Sequence, residues 1–228
     1  MILAVTGGKG GVGKSTVSYN LGAETGAVVV DGDLGMADLP TGTGPDLHDV
    51  LAGRADPVEA VREEGPVKLL PCGRSLAGAH AADVTRLVET VRAIHRAYGS
   101  VIVDCPAGMA ADAGIPLLVA DRSVLVVRPD AFALPDALRT RALARELDAG
   151  LAQVVVNWAD RDSPLDAIER VLGAPVTAVP ESAAVAQAGA TGLPVSAVAP
   201  DSEATDAFYR LARAVTPRRR ARRTPTGR

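Results

Sequence analysis

The feature that most narrows what this 228-residue chain can fold into is the stretch from Gly8 to Thr16, GKGGVGKST, set directly after the apolar run Ile2–Val5. Gly8, Gly13, Lys14 and Ser15 satisfy the spacing G-x-x-x-x-G-K-[ST], in which glycines let backbone N–H groups turn inward around phosphate oxygens. The flanks agree with that reading. Ile2–Val5 reads as a buried strand and residues 14–25 as a helix, so the loop would aim a helix N-terminus at an anion. Lys14 is then expected on the β- and γ-phosphates of a nucleotide, and the Ser15 hydroxyl on Mg²⁺. Lysine usage points the same way. Of 24 basic residues only Lys9, Lys14 and Lys68 are lysines, and two of these lie in the loop. A chain that otherwise uses arginine keeps lysine where a compact point charge must sit among phosphates.

The rest of the chain alternates apolar runs with helical patterns, which predicts an α/β fold with a doubly wound, mainly parallel sheet flanked by helices. Strands are expected near 2–6, 27–31, 67–71, 101–104, 124–127, 153–157 and 175–179. The stronger helices are 14–25, 83–98, 133–148 and 203–215, with shorter ones near 46–52, 57–63, 110–119, 165–172 and 182–189. Hydrophobic residues make up 47% of the chain but aromatics only 3%, so the core is Val, Ala and Leu, as suits parallel strands covered on both faces. Residues 1–216 read as one nucleotide-binding domain and 217–228 as a basic, disordered tail. That tail holds six arginines and no acid, whereas the first 216 residues carry a net charge of −9. An acidic body argues against a broad nucleic-acid-binding face.

Lys9 makes the loop more specific. The string Lys9-Gly10-Gly11-Val12-Gly13-Lys14-Ser15-Thr16 resembles the deviant Walker A motif of the MinD/ParA family of ATPases. The resemblance implies a face-to-face homodimer with ATP and Mg²⁺ at the interface. Lys9 would reach the partner's nucleotide, and residues 8–16 would cradle the chain's own. Strand 27–31 ends in Asp31-Gly32-Asp33, the carboxyl end of a strand that should line the ligand crevice. In the family resembled, the first Asp supports Mg²⁺ and the second orients the attacking water, which implies those roles for Asp31 and Asp33. The segment after them is interrupted by Pro40-Thr41-Gly42-Thr43-Gly44, unlike the apolar stretch usual there. Strand 101–104, VIVD, ends in Asp104, the Walker B arrangement for holding Mg²⁺, and Asp104-Cys105-Pro106-Ala107-Gly108 matches the second switch loop.

At the base end, the resemblance implies that Asn157 binds adenine and that the loop at Pro180 and Glu181 frames it. A competing pattern is Asn157-Trp158-Ala159-Asp160, which fits the N-x-x-D of guanine readers, with Asp160 as the carboxylate. Trp158 either covers the base edge or packs locally. Residues 128–140 lead from a strand into a helix, with Phe132 and Leu134 exposed ahead of it or simply entering it.

Several classes fall away. Cys72 and Cys105 are too far apart for a CxxC pair and read as small apolar fillers of a reducing compartment. His48, His80 and His95 have no ligand spacing and are expected at the surface. No apolar run reaches the ~18 residues of a membrane span. The tail has no large apolar residue to insert, which leaves electrostatic contact with anionic lipid or nucleic acid, or none. The expectation is a cytoplasmic ATPase switch, peripheral at the inner membrane face if the tail engages lipid. It would dimerise with ATP, hydrolyse it to ADP and phosphate, and position a cellular structure with an activating or cargo protein. The alternatives are an ATP-dependent ligase or amidotransferase, a GTP-using relative, and a scaffold that barely hydrolyses.

Overall fold

The structure, a computed structural model, describes residues 1–35, 38–108, 111–129 and 134–216. The expectations for Phe132, the Leu134 side chain and the tail at 217–228 lie outside what is described. The elements in order are β1 (Ile2–Thr6), α1 (Lys14–Thr25), β2 (Val28–Asp31), α2 (Leu47–Leu51), β3 (Leu69–Leu70), α3 (Leu76–Ala81), α4 (Leu87–Tyr98), β4 (Val101–Asp104) and α5 (Ala111–Val119). They continue with β5 (Arg122–Val127), α6 (Leu134–Glu146), β6 (Leu151–Ala159), α7 (Leu165–Leu172), β7 (Val176–Pro180), α8 (Ala183–Thr191), α9 (Val195–Val198) and α10 (Glu203–Val215).

The strands form one parallel sheet in the order β3-β2-β4-β1-β5-β6-β7, the doubly wound arrangement expected. The strand that feeds the phosphate loop is therefore central, with β4 on one side and β5 on the other. Alternation along each strand divides the core. Leu3, Val5, Val29, Ile102, Val124 and Val126 pack with α1 and α10, and Ile2, Ala4, Val28, Val30, Val101 and Val103 with α2, α4 and α5. A third cluster joins Leu125, Val127, Val154 and Val156 to Ile168 and Leu172 of α7. Period-two side chains on a sheet buried on both faces require this division.

The expected helix at 57–63 does not form. Asp56 accepts from the N–H groups of Val58 and Glu59 and starts a turn, but Arg62 and Leu69 exchange backbone hydrogen bonds at 2.9 and 3.0 Å. That antiparallel bridge draws the segment out of helix, a tertiary contact overriding local pattern. The expected helix at 83–98 is divided into a 3₁₀ turn, Val84–Arg86, capped by Asp83, and α4 proper. Two short helices, α3 and α9, had no periodic signal. α3 contains Gly78, whose N–H is capped by the Ser75 hydroxyl at 2.9 Å. Among the described residues no helix is long and apolar enough to cross a membrane.

Candidate functional site

Residues 7–13 loop from β1 into α1, and the loop's two lysines face different ways. Lys14 is only 7% exposed, whereas Lys9 is exposed with Gly10 and Gly11 beside it. Gly13 caps α1 in the left-handed region (φ 94°), and a Cβ there would collide with the Asn157 side-chain amide. That amide donates to the Val12 carbonyl at 3.0 Å, so the end of β6 braces the loop's backbone from behind. On the other flank a Cβ on Gly8 would come within 2.8 Å of the Asp136 Cβ, so the start of α6 closes on the loop as well. Glycine at both positions is a packing requirement that backs up the need for inward N–H groups.

The carboxylates lie beside the loop because β2 and β4 are neighbours with Asp31 and Asp104 in register. Both are 1% exposed. Asp31 accepts from the Cys72 and Asp33 N–H groups, each at 3.4 Å. Asp104 Oδ1 accepts from the Ser18 hydroxyl at 3.0 Å, while Oδ2 is buried with no hydrogen-bond partner among the described residues. Burial pushes Asp31 up to about 8, the Asp104 charge adding to the rise and the two N–H groups opposing it. Burial also raises Asp104, to about 6, against the Ser15 and Ser18 hydroxyls and the Lys14 ammonium, which act to lower it. Two desolvated carboxylates, one with an orphaned oxygen, beside a Ser hydroxyl and a phosphate cradle form a donor set suited to a hard divalent cation. The residues fit Mg²⁺.

A cavity of about 340 Å³ opens from the loop, lined by Gly13, Thr16 and Tyr19, by Leu39 beyond β2, and by Trp158 and Leu193. Asn157 is 4% exposed and faces the loop's backbone through its amide. Glu181 lies in a neighbouring cavity with Arg128 and Trp158, and Pro180 in a cleft with Ala159 and Asp160; neither lines the cavity at the loop. Asp160 accepts from the Ser163 hydroxyl at 2.7 Å and the Asp162 N–H at 3.1 Å, an exposed turn of its own, and it too lies off that cavity. Asp160 thus spends its carboxylate on that turn, and borders the neighbouring cavity with Trp158 instead of the one at the loop.

His48 departs from the surface placement expected of it. It is 3% exposed, with Nε2 3.3 Å from the Leu34 carbonyl and 3.4 Å from Cys72 Sγ. The capping box at Asp46 and Asp49 starts α2 there, and the Leu34 carbonyl, one residue after Asp33, meets its ring. His80 is exposed, and His95 is half-buried beside the N-terminal ammonium. Three other polar residues gave no motif. Ser18 lies one turn beyond Ser15, and helical spacing alone could have placed both hydroxyls on one face. Tyr19 and Asn20 fasten α1 to the C-terminal third: the Tyr19 hydroxyl donates to the Gly192 carbonyl and Asn20 Oδ1 accepts from the Val195 N–H, both at 2.8 Å.

Comparison with known proteins gives this geometry a lineage. Residues 3–195 match the CobQ/CobB/MinD/ParA nucleotide binding domain. An uncharacterised ATP-binding protein of Methanocaldococcus jannaschii is 37% identical over 226 residues, covering 92% of this chain and 85% of that protein. The cell division ATPase MinD of Pyrococcus furiosus superposes with a TM-score of 0.87 at 31% identity, over 94% of this chain and 97% of its own. The septum site-determining protein MinD of Pyrococcus horikoshii, solved with Mg-ADP, gives 0.86 at 29% identity, over 92% and 93%. With the phosphate loop, the paired carboxylates and the sheet order in agreement, the chain belongs to the CobQ/CobB/MinD/ParA nucleotide-binding family.

Proposed function

We propose that this chain is a MinD/ParA-like ATPase that uses ATP and Mg²⁺ to switch between monomer and homodimer, and that the dimer positions a cellular structure or cargo. The observation that carries the reading is the contrast within the loop, Lys14 buried against the carboxylates and Lys9 exposed. A single-subunit phosphate site needs the first; the second is a cation offered outward, to another subunit's phosphates.

In this reading the N–H groups of residues 8–16 and the Lys14 ammonium hold the β- and γ-phosphates. Ser15, Asp31 and Asp104 hold Mg²⁺, which when bound neutralises phosphate charge and keeps both carboxylates ionised. Asp33 orients a water in line with the γ-phosphate, since alignment and charge stabilisation dominate phosphoryl transfer. Lys9 contributes its charge across the interface. Asn157 holds the loop's rear and the adenine end, with Pro180 and Glu181 at the outer rim. Loss of the γ-phosphate removes charge contacts that bridge the subunits, so dimer stability is linked to the nucleotide's state. The ATPase unit spans residues 1–216. The arginine tail at 217–228 is a separate electrostatic element that brings a cytoplasmic protein to anionic surfaces.

The test is sizing by light scattering with Mg·ATP. Asp33→Ala should bind ATP and accumulate as dimer, because hydrolysis no longer dissolves it. Lys9→Ala should bind nucleotide without dimer-dependent turnover. An Asp33→Ala protein that stays monomeric with saturating ATP refutes the switch.

A further inference from the structure

Trp158 is the chain's one tryptophan, and its backbone is held at φ 54°, in the left-handed region that a bulky side chain rarely adopts. The cause is local and visible. The β6–β7 ladder pairs Asn157 with Val179 and then Ala159 with Pro180, so Trp158 is the extra residue of a bulge at the carboxyl end of β6. A bulge re-aims the side chain it carries. In regular alternation Trp158 would project to the sheet face opposite its neighbour Asn157. Instead the indole reaches the rim of the loop cavity, where it lines both that cavity and the neighbouring one that holds Arg128.

The two faces of the indole have different surroundings. The Arg128 guanidinium, from the residue that follows β5, stacks over the ring 3.8 Å from its centroid. Arg128 borders the neighbouring cavity and not the one at the loop. Trp158 lines the loop cavity beside Gly13, Thr16 and Leu39, and Arg128 does not, which leaves the ring face away from the guanidinium as the one available to that space. That space adjoins the phosphate cradle at Gly13 and Thr16, and its lining includes the apolar Leu39, Pro40, Val185 and Leu193 together with the polar Asn20 and Asp38. A half-buried aromatic face with its back fixed by a cation is a stacking platform.

We propose that Trp158 is the base platform of this site: the purine of the bound nucleotide lies flat on the indole face opposite Arg128, giving an arginine–indole–purine stack. This deepens the ATPase reading and rests on it. Stacking uses the π-face that every purine has, so Trp158 contributes affinity without discriminating adenine from guanine. Backbone strain at residue 158 is then retained because it puts the ring where the base arrives.

The experiment uses the full chain, whose emission has a single tryptophan source. Mg·ATP and Mg·ADP should change Trp158 fluorescence on saturation, whereas magnesium tripolyphosphate, which has phosphates and no base, should leave it unchanged. In parallel calorimetry, Trp158→Ala should weaken ATP and GTP by the same factor, on the order of tenfold or more. It should leave tripolyphosphate competition as in wild type, and Trp158→Phe should recover most of the loss. Calorimetric ATP binding with unaltered indole emission overturns the platform and leaves the ATPase reading standing. So does a Trp158→Ala protein that binds ATP as tightly as wild type, or one that loses tripolyphosphate and ATP equally. No affinity for any purine nucleotide overturns both.

Discussion

Asp31→Asn should make the nucleotide-free protein more stable at pH 8 while removing its response to Mg·ATP. In the folded chain Asp31 keeps its proton up to about pH 8, against 3.8 for an ordinary aspartate. A carboxyl raised in this way stabilises the native state fully below pH 3.8, and that stability is withdrawn as pH climbs towards 8. At 1.36 kcal/mol per pH unit, this one proton removes about 4 kcal/mol between pH 5 and pH 8. A typical domain has only about 5–15 kcal/mol in total. Asp104, raised to about 6, adds to the loss below that pH. Asparagine carries no proton to lose, so the variant's stability should be nearly flat from pH 6 to pH 8, an interval over which the wild type should lose about 2–3 kcal/mol. Urea unfolding of both proteins, without nucleotide or metal, across pH 5–8 measures this directly. Wild-type stability that does not fall over that range, or a variant whose curve runs parallel to it, refutes the account of a proton held on buried Asp31. Adding Mg·ATP at pH 8 should restore the wild type and leave the variant where it was.

Two further outcomes are expected. Gly13→Ala puts a Cβ into the Asn157 amide at a positive φ, and should cost about 2 kcal/mol of stability from strain and the lost Val12 bond, with nucleotide binding abolished; wild-type calorimetry in that variant would mean the loop does not need its brace. Deleting residues 217–228 should reduce co-sedimentation with anionic vesicles at low salt, a difference that fades as salt rises; equal pelleting of both proteins would make the tail inert.

Much of this molecule can be read from its sequence because the informative signals are short and local. The strand, glycine loop and helix of residues 2–25 are fixed by spacing, and β1 and α1 form at the expected bounds. Asp31 and Asp104 are legible as strand-terminal acids, and parallel neighbouring strands are enough to bring them together. What escapes is set by contacts far apart in the chain. Nothing near His48 announces that Leu34 and Cys72 will close over it. The turn at 57–60 has the composition of a helix start, but the chain after it pairs with Leu69 through Arg62. Trp158 reads as the residue after a strand that ends at Asn157, and only the pairing with β7 shows that it is a bulge within a longer one. Lys9 was legible only through the resemblance of its whole string, since its exposure depends on the loop's fold.

The fastening of α1 by Tyr19 and Asn20 to Gly192 and Val195 has a consequence for shortened forms of the chain. The helix behind the phosphate loop is anchored by a residue 175 positions further along the chain. The backing of the cradle therefore depends on residues far from it in the chain. A chain ending before Gly192 would keep the loop and both carboxylates but lose these two bonds, so its cradle should be held less firmly and its affinity for ATP should fall.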